Sequence, residues 1–135
     1  MKHVQLQLQT KMENVGESLT QQAKGKLYAK GSGWYLTYRE TLDEGMEVST
    51  TLKVFAEEGR ALVIRTGSVQ MRQEYILGQW TQGKYVSPHG VMWMETKAER
   101  IGFDAENRRL ELDYLLKLNE EDLGRYILTI DWQEL

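Results

Sequence analysis

Arg65 is the side chain in this sequence that is best placed to do chemistry. It follows the apolar run Ala61–Ile64, which we interpret as buried on both faces, so that the stem of Arg65 lies against apolar groups. An enclosed guanidinium keeps its charge and needs acceptors, which a ligand carboxylate or phosphate can supply in a two-pronged geometry. We therefore predict Arg65 as the anchor of an anionic group. The alternative is an arginine at a rim, hydrated or paired with Glu40, because burying charge is unfavourable.

Tyrosines supply the next candidates for a binding site. The chain has seven tyrosines and four tryptophans, and an enclosed tyrosine joins a large apolar body to a hydroxyl that needs a partner. We predict that Tyr75, Tyr85 and Tyr114 line the same space as Arg65. Burial in an ordinary core accounts for most of the other aromatic rings.

No group of residues predicts catalysis, a metal site or a cofactor. His3 and His89 are the two histidines, and without cysteine a zinc site would need carboxylates to complete it. Thr66–Val69 lacks the second glycine of a nucleophile elbow, and Gly31–Gly33 lacks the lysine and helix of a phosphate-binding loop. We therefore expect no catalytic residue, no metal and no cofactor.

Two carboxylates lie beside aromatic residues within predicted strands, Glu40 and Glu95. A pair of carboxylates at a suitable separation can perform acid–base chemistry, as in glycoside hydrolysis. The sequence contains nothing that brings these two together. Glu95 alternates with Met94, which indicates that its side chain points outward.

The elements that position these side chains are β-strands, because apolar and polar residues alternate along most of the chain. Successive side chains on a strand point to opposite faces, so each such row gives one apolar and one solvated side. Glycines separate the rows, and residues 43–45 and 57–59 are typical of tight hairpin loops. The apolar rows lie at about 3–13, 18–30, 33–42, 46–56, 60–66, 68–78, 80–87, 91–101, 108–118 and 123–133.

Closure of the sheet is predicted from the number of strands. About eight to ten strands in meander order leave two exposed edges unless the sheet closes. We therefore predict an all-β fold, a single antiparallel up-and-down barrel that forms one domain over residues 1–135. A two-sheet sandwich is the alternative, because the pattern alone does not separate stacking from closure. Residues 65–68 form either a turn or a bulge, in which case two of the strands are one bent strand.

Charge and hydropathy restrict the partners. The net charge is −3, and acidic and basic residues are interspersed, so we expect neither a nucleic-acid nor a membrane partner. The first residues, Met1–Gln9, lack the continuous apolar stretch of a signal peptide, and no run is long enough to span a bilayer. We expect a cytoplasmic protein, and a protein partner stays unspecified.

Several spaced residues carry a family resemblance. They are Tyr35-x-x-Tyr38-x-Glu40, Arg65-Thr66-Gly67-Ser68-Val69-Gln70-Met71, Tyr85 ahead of Gly90 and Thr96, and Leu110-x-Leu112-x-Tyr114. In this order the chain resembles the YwiB family, a small bacterial family of unknown function, from about Val4 to Trp132. It departs from the family in Tyr75, where phenylalanine is usual, and in the apolar Val91–Met94. The resemblance implies a calycin-like, lipocalin-like β-barrel in the cytoplasm and assigns no catalytic residue.

Two classes of function agree with these observations. The first is a binding module, in which the barrel interior holds a small apolar or amphiphilic ligand that can carry an anionic group. The second is a filled barrel that serves as a protein-interaction or structural module. Leu115, Ile76 and Ile127 are its candidate contact residues because they lie in polar rows. An interior void would favour the first class, and a packed centre would favour the second.

Overall fold

Ten β-strands account for most of the chain, as the alternating rows predict. The computed structural model describes the 135 residues, apart from the side chain of Asp43. The strands are β1 (Lys2–Met12), β2 (Glu17–Lys30), β3 (Gly33–Thr41), β4 (Glu47–Phe55), β5 (Arg60–Gly67), β6 (Gln70–Ile76), β7 (Trp80–Ser87), β8 (Gly90–Asp104), β9 (Arg109–Leu118) and β10 (Glu121–Glu134). Single 3₁₀ turns lie at Asp43–Gly45 and Ala56–Glu58. No described helix has the length and apolar character needed to cross a membrane.

The strands close into a barrel in simple up-and-down order. Each strand pairs antiparallel with its neighbours along the chain, and β1 pairs with β10. In that closing pair the register runs from Val4 opposite Glu134 to Met12 opposite Tyr126. Because the sheet closes, no strand lies at a free edge of it. The prediction of a closed antiparallel barrel is confirmed, and the sandwich alternative is wrong.

Residues 65–68 end one strand and begin a turn. β5 and β6 pair with each other as a hairpin, with Arg65 opposite Met71. Gly67 has a φ of 113°, and a Cβ atom there would lie 2.8 Å from the carbonyl oxygen of Glu47. The idea that these two strands form one bent strand is therefore wrong, and this glycine is required by both its backbone angle and its close neighbour.

The barrel core is built from the inward rows of every strand. Leu110, Leu112 and Leu116 are buried, and Tyr114 and Leu118 pack against the same cluster. This agrees with the unbroken alternation along β9. The apolar run in β5 behaves differently from our prediction. Ala61 and Val63 are buried, whereas Leu62 and Ile64 are only half-buried on the outer face. The prediction that Ala61–Ile64 is buried on both faces is wrong, because a barrel wall has solvent on its outer side.

A gap in strand pairing separates part of β6 from β7. The two strands pair only where Gln70–Arg72 of β6 lie opposite Lys84–Val86 of β7. Beyond that point the fully buried side chain of Gln73 occupies the gap, and its Nε2 donates to Thr96 Oγ1 at 2.8 Å and to the carbonyl oxygen of Thr81 at 3.2 Å. Thr96 Oγ1 in turn donates to the carbonyl oxygen of Glu74 at 2.9 Å. The side-chain donor of Thr96 thus satisfies the Glu74 carbonyl, which an inter-strand backbone hydrogen bond would satisfy in a continuous sheet.

Candidate ligand cavity inside the barrel

A cavity of about 130 Å³ lies inside the barrel. The protein interior is normally packed without voids much larger than a water molecule, so this space is unusual. An engineered apolar cavity of about 150 Å³ accepts benzene, which sets the scale of a molecule that fits. The lining residues are Leu8, Thr10, Gln21, Tyr38, Glu40, Leu52, Val63, Arg65, Met71, Tyr75, Met94, Leu112, Tyr114 and Leu128.

Arg65 and Glu40 form the charged part of the cavity wall. Arg65 points inward because it continues the buried row of Ala61 and Val63 on β5. Its Nη2 lies 3.4 Å from Oε1 of Glu40, and the exposed fractions of the two side chains are 25% and 3%. Thr50 Oγ1 on the intervening strand β4 donates to the same carboxylate oxygen at 2.7 Å. The carboxylate is therefore held by two donors inside the barrel.

The guanidinium of Arg65 has an unused donor. Burial opposes its charge, but Glu40 and the surrounding tyrosines outweigh burial, so the pKa of Arg65 lies above its ordinary value. Its Nε is buried and has no acceptor among the described residues. A buried donor without an acceptor is unfavourable by about 1–3 kcal/mol. Arg65 therefore lines the cavity with a guanidinium whose hydrogen-bonding capacity the described residues do not fill.

Three tyrosines face the same space and stay neutral. Burial raises the pKa of Tyr114 to about 12 and that of Tyr75 well above its ordinary value. Burial, followed by the negative charge of Glu40, raises the pKa of Tyr38. The rings of Tyr75 and Tyr114 meet edge-on, with centroids 4.9 Å apart and planes at 65°. Neutral phenols can donate or accept hydrogen bonds, so this wall suits a polar group on a bound molecule.

The predicted site residues are partly brought together. Arg65, Tyr75 and Tyr114 all line the cavity, whereas Tyr85 does not. Tyr85 lies opposite Met71 in the pairing of β6 with β7 and is half-buried against the core. On that side of the cavity, Met71 forms the wall instead. The alternative pairing of Arg65 with Glu40 is also present, and it occurs inside the barrel wall instead of at a solvated rim.

Sequence reasoning missed Tyr38 as a wall residue and Thr50 as the hydroxyl that holds Glu40. A usable signal was present on β3, where Tyr38 and Glu40 continue the buried row begun by Leu36. Glu40 and Glu95 do not meet, because Glu95 lies on the outer side next to the surface around Trp93. His3 and His89 are both exposed. Among the described residues, no three histidine, aspartate or glutamate side chains gather as a metal site.

The exposed apolar residues differ from the predicted contact residues. Leu115, Ile76 and Ile127 are half-buried, whereas Trp80 and Trp93 are 41% and 51% exposed. One lysine ammonium lies over each indole, Lys117 at 4.4 Å from the Trp80 ring and Lys84 at 5.6 Å from the Trp93 ring. These cation–π contacts stabilise the two rings at the surface, where both stay exposed.

Comparison with known proteins identifies relatives over nearly the whole chain. The model of the family described as Domain of unknown function (DUF1934) matches residues 4–130. The uncharacterized β-barrel protein YwiB of Bacillus subtilis (strain 168) is 32% identical over 111 residues, which cover 81% of this chain and 76% of that protein. The crystal structure of the Bacillus subtilis ywiB protein matches with a TM-score of 0.82 at 26% identity, covering 99% of this chain and 92% of that one. These matches confirm the resemblance predicted from the sequence.

Proposed function

This chain belongs to the DUF1934 family, and we propose that it is a binding protein whose barrel interior holds a small amphiphilic molecule with an anionic group. One observation carries the proposal: a cavity of about 130 Å³ has an inward-pointing arginine whose buried Nε lacks an acceptor. A ligand carboxylate would accept from that Nε after a small turn of the guanidinium, because the surface of Nε is itself enclosed.

The charges in the cavity define where an anionic group would sit. Glu40 already neutralises the Nη2 side of Arg65, so a second anion on that side would be repelled. The Nε side offers a donor without a neighbouring carboxylate, and the phenols of Tyr75 and Tyr114 supply further donors in the same cavity. A single carboxylate placed there would receive charge-assisted hydrogen bonds.

The opposite part of the wall suits a short apolar body. Leu52, Val63 and Leu112 are fixed aliphatic surfaces, while Met71 and Met94 have flexible side chains that adapt to irregular shapes. The volume limits the occupant to about the size of benzene with a small substituent. We therefore propose short-chain or aromatic monocarboxylates as the ligand class.

Binding without turnover fits this wall better than catalysis. The described histidines are exposed, and Glu40 is occupied by Thr50 and Arg65. A general base must lie within hydrogen-bond reach of a substrate proton. Neither the histidines nor Glu40 meets this requirement in the cavity. A filled barrel that serves as an interaction module fits less well, since the barrel interior contains a cavity with a charged wall.

Thermal unfolding with defined probes tests the proposal. Wild type would be heated with butyrate, benzoate or butylamine, alongside Arg65→Met and the control Arg72→Met, which removes an exposed arginine from the outer face of β6. We expect the two carboxylates to raise the Tm of wild type and of Arg72→Met, and to leave Arg65→Met unchanged. A ligand at about 100 times its Kd stabilises by about 2.7 kcal/mol, which such a measurement resolves.

Native mass spectrometry of freshly purified protein supplies a second measurement. A co-purifying small acid that is retained by wild type and lost from folded Arg65→Met would support the proposal. In the thermal experiment, equal Tm shifts in Arg65→Met and wild type would contradict it, as would a larger Tm shift with butylamine than with butyrate.

A further inference from the structure

We propose that the outer face of β2, β3 and β4 binds single-stranded nucleic acid. This face, called the basic face below, is defined by Lys24, Lys26, Lys30, Arg39 and Lys53 together with the rings of Tyr28, Tyr35 and Phe55. It lies on the other side of the barrel wall from the cavity, and it does not depend on the function proposed for the interior.

Strand alternation places these cations on one surface. Leu27 on β2, Leu36 on β3 and Leu52 on β4 are buried, so the residues adjacent to them point outward. Along β2 the outward row includes three lysines, and β3 and β4 contribute one cation each. From Lys24 to Arg39 and from Ser49 to Phe55, the outward positions carry no carboxylate. In a chain of net charge −3, this is a marked separation of charge.

The cations of the basic face are not neutralised by neighbouring carboxylates. None of the five forms an ion pair with a described carboxylate. Elsewhere on the barrel, Arg100, Arg109 and Arg125 are each paired with a carboxylate at 2.8 Å. The charge of the basic face is therefore available to a polyanion, which would release counterions on binding.

A groove on this face provides hydrogen-bond donors beside the charges. Its volume is about 490 Å³, and its walls include Lys24, Lys26 and Arg39 together with the hydroxyls of Thr37, Ser49 and Thr51. Lysine, arginine, serine and threonine are the side chains that contact phosphate oxygens in nucleic-acid complexes. His3 also lines the groove and lies opposite Lys26 in the pairing of β1 with β2.

Aromatic rings adjoin the groove and select for nucleic acid among polyanions. Tyr28 lies opposite Tyr35 across β2 and β3, with ring centroids 5.4 Å apart, and Phe55 meets Tyr35 at 6.2 Å. All three rings are half-buried and lie on the outer side. Lys30 and Lys53 flank Tyr35, with their Nζ atoms 5.6 and 5.0 Å from its ring centroid. Rings bordered by cations allow unpaired bases to stack while the backbone contacts the lysines.

The sequence alone indicates no nucleic-acid partner, because acidic and basic residues alternate along the chain. Pairing of three strands brings Lys24 and Lys26 beside Arg39, while Glu40 points into the barrel. The exposed carboxylates of Glu47 and Glu58 lie at the border of the basic face, and neither pairs with one of its five cations. The basic face therefore exists only in the folded protein. The three rings are half-buried in the strand surface and do not protrude from it, which favours stacking of bases over insertion into a membrane.

Fluorescence anisotropy with labelled oligonucleotides tests this inference. The probes are oligo-dT, oligo-U and a duplex of mixed sequence. The test variant is Lys24→Gln/Lys26→Gln/Arg39→Gln. The control is Arg100→Gln/Arg109→Gln/Arg125→Gln, which removes the same charge from β8, β9 and β10, where each arginine is paired with a carboxylate. Circular dichroism verifies that both triple variants are folded.

We expect wild type and the control to bind single strands alike, and the test variant to bind at least about tenfold more weakly. Each phosphate contact contributes about 0.7 to the slope of log affinity against log salt for single strands, so the slope should fall by about 2 in the test variant. Oligo-dT and oligo-U together report whether the ribose hydroxyl contributes. Tyr35→Leu should weaken binding to oligo-dT and leave binding of polyphosphate unchanged.

Three outcomes would overturn the inference. They are no binding of any single strand at low salt, equal loss of binding in both triple variants, or polyphosphate, polyglutamate or anionic phosphatidylglycerol vesicles bound as tightly as oligo-dT. The last result would assign the basic face to another anionic partner.

Discussion

Arg65 Nη2 lies 3.4 Å from Glu40 Oε1, although the two residues come from strands that are separated by β4. The contact is possible because both side chains point inward and cross the row of Thr50, whose hydroxyl bonds the same oxygen at 2.7 Å. Glu40 is almost completely enclosed, whereas Arg65 keeps some access to solvent. The pair therefore places a compensated charge in the cavity wall and leaves one arginine donor free.

Removal of the Glu40 charge should destabilise the barrel. Glu40→Gln leaves the Arg65 guanidinium without its counter-charge, and we expect a loss of about 2 kcal/mol in the free energy of unfolding. This is below the range for fully buried pairs because Arg65 is partly exposed. Glu47→Gln, at an exposed position on β4, is the matched control. Urea unfolding measures both. Stability of Glu40→Gln within about 0.5 kcal/mol of the control would contradict the buried pair.

The double variant Glu40→Gln/Arg65→Met tests the same pair from the other side. It removes both charges, and an apolar replacement of a buried pair is often close to neutral. We expect it to recover part of the stability that Glu40→Gln loses. A double variant that is destabilised by the sum of the two single changes would show that the residues do not interact.

Alkaline pH should unfold the protein through its buried tyrosines. Burial raises the pKa of Tyr114 to about 12 and also raises the pKa values of Tyr38 and Tyr75. Above about pH 10 the unfolded chain loses phenolic protons that the folded barrel keeps, so the free energy of unfolding falls as pH rises. Below that pH this contribution to stability is fully present.

Urea unfolding between pH 8 and about pH 11, read against tyrosinate absorbance, measures this dependence. Tyr75→Phe/Tyr114→Phe should show a shallower loss of stability with pH than wild type. Tyr28→Phe, on the outer face of β2, is the control. Equal pH dependence in the double variant and wild type would rule out these two phenols as the cause.

The fold could be predicted from the sequence because alternation is a local property. The row Leu110–Leu118 fixes which face of β9 is buried without reference to any other strand. Glycines mark most of the hairpin turns, and polar residues form the turns on either side of β9. The closing pair of β1 with β10 followed from the need to leave no open edge. Nine of the ten strands consequently lie within about two residues of their predicted bounds, and β8 continues three residues further than predicted, to Asp104.

The cavity could be predicted only in part because it depends on register and on side-chain size. Arg65 and Tyr114 continue inward rows, so their direction was available from alternation. Whether an inward side chain lines a void or fills it depends on its neighbours across strands, as for Tyr85 and Met71. The contact of Arg65 with Glu40 spans three strands, and the sequence offered it only as an alternative.

Two adjacent residues on β1 test the inward direction of its apolar row. Leu6 is completely buried, and its neighbour Gln7 is exposed. Leu6→Asp places a carboxylate among apolar side chains, and the unfavourable burial is comparable with the whole stability of a small domain. We expect Leu6→Asp to lack a cooperative unfolding transition by circular dichroism, and Gln7→Asp to unfold like wild type. Similar transitions in the two variants would place the strand in the wrong register.

Two glycines that differ in their surroundings test the gap between β6 and β7. A Cβ atom at Gly83 would collide with Gln73 Oε1 and lie 2.8 Å from the carbonyl oxygen of Arg72, whereas one at Gly102 would meet nothing within 4 Å. Gly83→Ala must displace the amide that bonds Thr96, and we expect a loss of about 1–3 kcal/mol.

Gly102→Ala provides the control, because alanine there narrows the unfolded ensemble without a clash and should be neutral or stabilising by up to about 1 kcal/mol. Urea unfolding compares the two variants at the same pH. We expect the free energy of unfolding to be highest for Gly102→Ala, intermediate for wild type and lowest for Gly83→Ala. If Gly83→Ala is as stable as Gly102→Ala, the Gln73 amide does not occupy the space beside Gly83, and the side-chain bonds across the gap do not hold β6 to β8.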